Sequence, residues 1–237
     1  MHLPSRAARA LVLAALPLAL AACGSSGSSG QSGDAKSSAA PAKDPNAGLL
    51  TGDQLKKALA PASFFGTGFA VDPSGARDSG GTYTPPSTAP AAEPDCSKLD
   101  GTSWIAITGV TGVSFAQNDY VNKNTSEDIA QEIDAYRGTT AAGVLKAVEA
   151  TAKACPSFTD SQTHSKVKVA GHAVSGLGDG GYTLTLTDPA WENGTTLIAA
   201  RAGTDVVSVL STDGHDNGAA TARKLAERLV GALRKTS

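Results

Sequence analysis

The residues able to do chemistry are few, and their spacing argues against most reactions. The chain has three cysteines, Cys23, Cys96 and Cys155, and four histidines, His2, His164, His172 and His215. There is no C-x-x-C and no histidine near a cysteine, so thiolate-based redox or metal chemistry lacks its ligand spacing. Asp213-Gly214-His215-Asp216 groups three ligating side chains, but in a turn ahead of a helix, where Asp216 is better used as an N-cap. No G-x-S-x-G is present, and Ser175 near His172 is not a nucleophile with its base. Asp188 and Glu192 flank Trp191 at a turn; paired carboxylates serve glycoside hydrolysis, but these read as solvated turn residues. Gly176-Leu177-Gly178-Asp179-Gly180-Gly181 spells G-x-G-x-x-G, yet Tyr182 opens a strand, and dinucleotide binding needs a helix N-terminus there. We expect no catalytic residue, no metal and no cofactor. Aromatic residues make up only 5% of the chain, which singles out Trp191, Tyr182, Tyr120 and Tyr83 as residues to line a ligand groove, with core packing as the alternative for each.

One cysteine has a clear context. Arg6 and Arg9 precede an apolar run from Ala10 to Ala22, the length of a signal-peptide core and too short for a membrane span. The run ends in Leu20-Ala21-Ala22-Cys23, which resembles the lipobox of bacterial lipoproteins. That resemblance implies a leader over residues 1–22, cleaved ahead of Cys23, and a lipid on the Cys23 thiol. Two or three acyl chains hold a protein at a membrane where one is marginal. Residues 23–47 are rich in Gly, Ser and Ala with almost no large apolar side chain, the composition of a flexible tether. The expected location is the outer face of the cell membrane.

Residues 48–237 remain, about 190 of them, enough for one domain with a core. The formal net charge of −2 and the lack of a basic patch exclude a phosphate backbone as partner. With Cys23 committed to lipid, Cys96 and Cys155 are left in an oxidising compartment, and a structural disulfide is expected. Closing a loop of this size stabilises by roughly 4 kcal/mol in the chain-entropy account.

Thr51-Gly-Asp-Gln54 is a capping-box pattern opening a helix over 52–59, which Pro61 stops. Residues 61–95 read as a long loop with one strand near 67–71. Strands are expected over 104–108 and 111–116. Residues 126–137 fit a helix through Ile129, Ile133 and Tyr136, or a strand through Ile129, Gln131, Ile133 and Ala135. A helix capped by Thr139 or Thr140 runs to Ala154, where Pro156 follows. Strands are then expected over 166–170, 173–177, 182–187, 196–200 and 206–210, with Asn193-Gly194 as a type I′ hairpin signal. Ala222, Leu225, Ala226, Leu229, Val230 and Leu233 form the apolar stripe of a closing helix over 219–234. Successive strands joined by short turns imply an antiparallel sheet, and the class is α+β.

The order of these features resembles the PknH-like extracellular sensor domain family, found on actinobacterial kinases and on secreted lipoproteins. The likeness runs from about Leu49 to Arg234. It is carried by the Leu49-Leu50-Thr51 start and Asp95-Cys96, by the Ala-rich helix ending at Ala154-Cys155, and by the Leu177-Gly178-Asp179 turn, the hairpin at Gly203 and the closing helix. The resemblance implies a strand rather than a helix over 126–137. It further implies a single α+β domain with a curved antiparallel sheet and helices packed on one face around a ligand-binding cleft. The kinase pattern has two disulfides, and this chain has cysteines for one. The expected function is a non-catalytic, lipid-anchored sensor-like domain binding a small ligand or a cell-envelope component; the alternative is a structural or assembly lipoprotein that binds another envelope protein.

Overall fold

Alternating apolar and polar residues and tight glycine turns build one eight-stranded sheet, antiparallel throughout and not closed. The computed structural model describes residues 43–100 and 104–236. The leader, Cys23 and most of the tether lie outside the described residues. The strands are β1 (Phe69–Asp78), β2 (Ser114–Asn122), β3 (Asp128–Ala135), β4 (Ser157–Thr159), β5 (Lys166–Val174), β6 (Gly181–Thr187), β7 (Thr195–Ala202) and β8 (Asp205–Ser211). Their spatial order is β1-β2-β3-β8-β7-β6-β5-β4, so β3 and β8 meet at the centre. Among the described residues four α-helices accompany them: α1 (Gly52–Ala58), α2 (Trp104–Thr108), α3 (Thr140–Ala154) and α4 (Ala219–Leu233). This is the α+β class expected.

One face of the sheet is closed by α1 and α4. All six residues of the α4 stripe are buried, against Ile129 and Ile133 of β3, Ile198 and Ala200 of β7, and Val207 and Val209 of β8. On the other face Val148 and Ala152 of α3 pack over Leu184, Leu197, Ala199 and Leu210, joined by Trp104 and Ile107 of α2. This second helical cover is partial: it spans β5–β8 and reaches only Ala130 of β3, so the helices divide between the two faces.

Cys96 and Cys155 stand at disulfide distance, with sulfurs 2.02 Å apart, joining the segment before α2 to the end of α3. At the α1 start, Gln54 Oε1 accepts the Thr51 N–H at 2.8 Å, the return half of the expected box. Asp216 accepts the Ala219 and Ala220 amides at 3.1 and 2.8 Å, capping α4 although Gly218 holds the N-cap position. Ahead of Gly48, Asp44–Ala47 already form a hydrogen-bonded turn, and Asn46 accepts from the Arg137 guanidinium at 2.8 Å.

Three local expectations are corrected. Residues 104–108 are helical, because Trp104, Ile107 and Thr108 are buried at positions i, i+3 and i+4, a helix period that a five-residue alternation imitates. The strands expected over 166–170 and 173–177 are one strand, β5, continuous through Gly171. Asn193-Gly194 is not a two-residue hairpin: the connection from Thr187 to Thr195 is longer, and the Gly194 N–H is instead held by Asn217 Oδ1 at 2.9 Å.

Candidate cleft on the open half of the sheet

Strand register decides which side chains line the bare part of the sheet. Directly opposed residues of an antiparallel pair share a face. Phe115, Gln117 and Asp119 of β2 oppose Asp134, Glu132 and Ala130 of β3, which oppose Val206, Ser208 and Leu210 of β8. Arg77 of β1 opposes Gln117. The face away from α1 and α4 therefore carries Arg77, Gln117, Asp119, Glu132 and Asp134. Above it the chain leaves a cleft of about 530 Å³, walled by Thr84 and Pro85 from the long loop, Thr111 and Gly112, and Trp104 of α2. Its apolar side is Phe115, Ala130 and Leu210 with Trp104.

Two close approaches hold the acids in place. The carboxylate of Asp119 lies where a Cβ on Gly75 would sit, 2.1 Å from Oδ2, so only glycine fits at that bulge of β1. A Cβ on Gly112 would meet Asp134 Cβ and Oδ1 at 3.0 Å, so the backbone passes close over that acid. From the rim, Arg77 Nη2 donates to Gln117 Oε1 at 2.9 Å, and Gln117 Nε2 donates to Asp119 Oδ1 at 3.3 Å. The Glu132 carboxyl has no hydrogen bond among the described residues.

The electrostatics are unusual for a surface. Burial pushes the Glu132 carboxyl up to about 7, with the Arg77 charge opposing and Asp119 adding to the rise. Burial, then Glu132 and Asp205, raise Asp134 well above the carboxylate range. Burial also raises Asp119. Asp205, at the start of β8, is pushed up to about 7 by burial. Burial, with Asp134 and Glu132, raises the Tyr136 phenol. Two buried polar atoms of the cleft residues have no partner among the described residues: the indole N–H of Trp104, a residue 4% exposed, and Oδ1 of Asp134, 2% exposed. A buried polar group without a hydrogen bond costs about 1–3 kcal/mol.

The structure does not bring together the four aromatics singled out in the sequence, and none of them lines this cleft. Tyr120 lies on the opposite face, 1% exposed, donating to the Ala60 carbonyl at 2.5 Å and accepting from Gln131. Tyr182 is packed in the core beneath α3. Tyr83 donates to the Leu49 carbonyl at 2.6 Å. Trp191 sits in the β6–β7 connection, half-buried against the same core as Tyr182. The glycine-rich segment joins two strands, clasped to β7 by Asp179 N–H to Arg201 O at 2.7 Å and Arg201 N–H to Gly180 O at 2.9 Å. Asp213 accepts from Thr221, and His172, on β5, and His215, between β8 and α4, are exposed. Among the described residues no group of three His, Cys, Asp or Glu side chains could hold a metal ion. Sequence reasoning passed over Asp119, Glu132 and Asp134. The available signal was the run Gln131-Glu132-Ile133-Asp134, where a strand alternation puts acids on the face opposite Ile129 and Ile133.

No helix among the described residues is long and apolar enough to cross a membrane. No protein-family model matches the chain, and no curated protein matches it in sequence.

Proposed function

We propose that the chain is a non-catalytic binding module of the PknH-like sensor type, anchored by a lipid on Cys23 to the extracytoplasmic face of the cell membrane. Its cleft over β1–β3 and β8 takes a small ligand or a cell-envelope component. One observation carries this reading: a roomy cleft with an apolar wall whose residues Trp104 and Asp134 keep buried polar atoms without protein partners. A concave, largely apolar site with a few converging polar groups and displaced carboxyls is the arrangement that small-molecule sites use.

The test is thermal. The full chain, melted with fractionated small molecules from cell envelopes, is expected to rise in Tm with at least one fraction, since a ligand bound at a hundred times its Kd stabilises by about 2.7 kcal/mol. The rise should vanish in Gln117→Leu with Ser208→Leu, which fills the cleft floor. No rise with any fraction defeats the reading. The anchor is tested separately: metabolic labelling with an alkynyl fatty acid should tag the chain, and Cys23→Ala should abolish the tag.

A second reading has Glu132 behind it. A carboxyl held near 7 beside another carboxyl is also the device of general acid–base catalysis. It predicts that Glu132→Gln abolishes turnover of an envelope fraction while that fraction still raises Tm. Binding without turnover in the unmodified chain removes it.

A further inference from the structure

Three carboxylates, Asp119, Glu132 and Asp134, line the cleft with a single cation, Arg77. Arg77 is exposed at the rim and donates to Gln117, so one cation faces three acids. We propose that the cleft's ligand is an organic cation: an ammonium group seated at Glu132 and Asp134, neighbours on one face of β3 with Asp119 further along the floor, carried on an apolar body that lies against Phe115, Leu210 and the Trp104 ring. This rests on reading the cleft as a binding site and names the chemistry that it selects.

The reasons are complementary. Like charges in a partly dry site cannot all ionise without a counter-charge, and the one that β1 supplies, Arg77, opposes the rise of Glu132 and Asp119 without cancelling it. Beyond the cleft the facing titratable groups are Asp72 on β1, Asp205 on β8 and Tyr136 after β3, none of them a cation. Burial raises Glu132 to about 7 and raises Asp134 as well, so protons supply neutralisation in the free protein. An ammonium replaces those protons and adds charge-assisted hydrogen bonds. The acids do not converge at metal-ligand spacing, which favours a bulky cation over a bare ion. The apolar wall gains from covering by hydrocarbon or a ring. The unpartnered indole N–H of Trp104 asks for an acceptor, such as a carbonyl or hydroxyl, on the same body.

Binding of this kind is linked to proton release. If the cation displaces the Glu132 proton, affinity rises with pH through about 7. The chain has two tryptophans, so Trp191→Phe in the full chain leaves Trp104 as the sole indole reporter in the cleft wall. Its fluorescence is titrated with benzylammonium, benzyl alcohol and benzoate at pH 6 and pH 8. The expected result is binding of benzylammonium at least tenfold tighter than its neutral and anionic counterparts, and about tenfold tighter at pH 8 than at pH 6. Glu132→Gln with Asp134→Asn should remove both the preference and the pH dependence; Asp119→Asn, a milder change at the rim, should weaken the ammonium alone. Pentane-1,5-diamine and acetyl-lysine amide, run in parallel, separate a free amine from a lysine-type side chain as the source. Equal binding of benzyl alcohol or benzoate at both pH values overturns the cation and leaves the binding site standing. If neither these probes nor any envelope fraction acts on the protein, both ideas fall.

Discussion

Strand β3 has two faces with opposite physics. Ile129, Ile133 and Ala135 point under α1 and α4, fully buried among aliphatic side chains, and the one polar member, Gln131, is satisfied by Ala60 and Tyr120. Ala130, Glu132 and Asp134 point into the cleft, where polar atoms are buried without partners. The same backbone and the same hydrogen-bonded ladder thus serve a finished core and an unfinished one. A face finished by helices stores stability; a face left open while its acids are desolvated stores interaction energy that a ligand can collect.

The largest effect should come from loosening the cover that stops short of the cleft. Cys96→Ser with Cys155→Ser releases the junction between the α2 segment and α3, and the loss is expected to be roughly 4 kcal/mol in urea unfolding. If the loss is under about 1 kcal/mol, α3 is held by packing alone. Next, Leu229→Ala in α4, at a side chain with no exposed surface, should lower stability by about 2–5 kcal/mol, whatever the pH.

On the cleft face the sign reverses. Glu132 binds its proton more tightly when folded, about 7 against an ordinary 4.5. Its contribution is therefore full below pH 4.5 and is lost as pH rises through 7. Glu132→Gln is expected to make the protein about 1–2 kcal/mol more stable at pH 8 and no more stable at pH 4. Melting curves at the two pH values check this, and a destabilised variant at pH 8 would mean that the cleft face is as finished as its opposite. The smallest effect belongs to the solvent side of α4: Glu227→Ala, which removes the exposed pair with Arg223, should change stability by less than about 0.5 kcal/mol.

The sequence was most legible where one residue pattern had one solution. The α4 stripe and the strand alternation of β6 follow from periodicity, because burying one face requires it, whereas residues 126–137 fitted two periods and only the family resemblance chose the strand. The cysteine pair followed from counting. The segment 104–108 was not legible, since five residues satisfy both a strand and a helix period. The cleft was illegible for a different reason. Glu132 and Asp134 look like solvent-facing residues of an amphipathic strand, and on an edge they would be.

The sequence alone determined the class of fold, the pairing of Cys96 with Cys155, and the side chains that α4 buries, since each depends on local spacing or on composition. Tertiary structure decided the rest. Placing β3 at the centre beside β8, ending α3 short of β2 and laying Trp104 over the gap turned ordinary surface acids into desolvated ones. It also sent Tyr83 and Tyr120 to places apart from the core that Tyr182 and Trp191 share, because aromatic rings go wherever the core has volume for them, and no local pattern reports which face of which strand that will be.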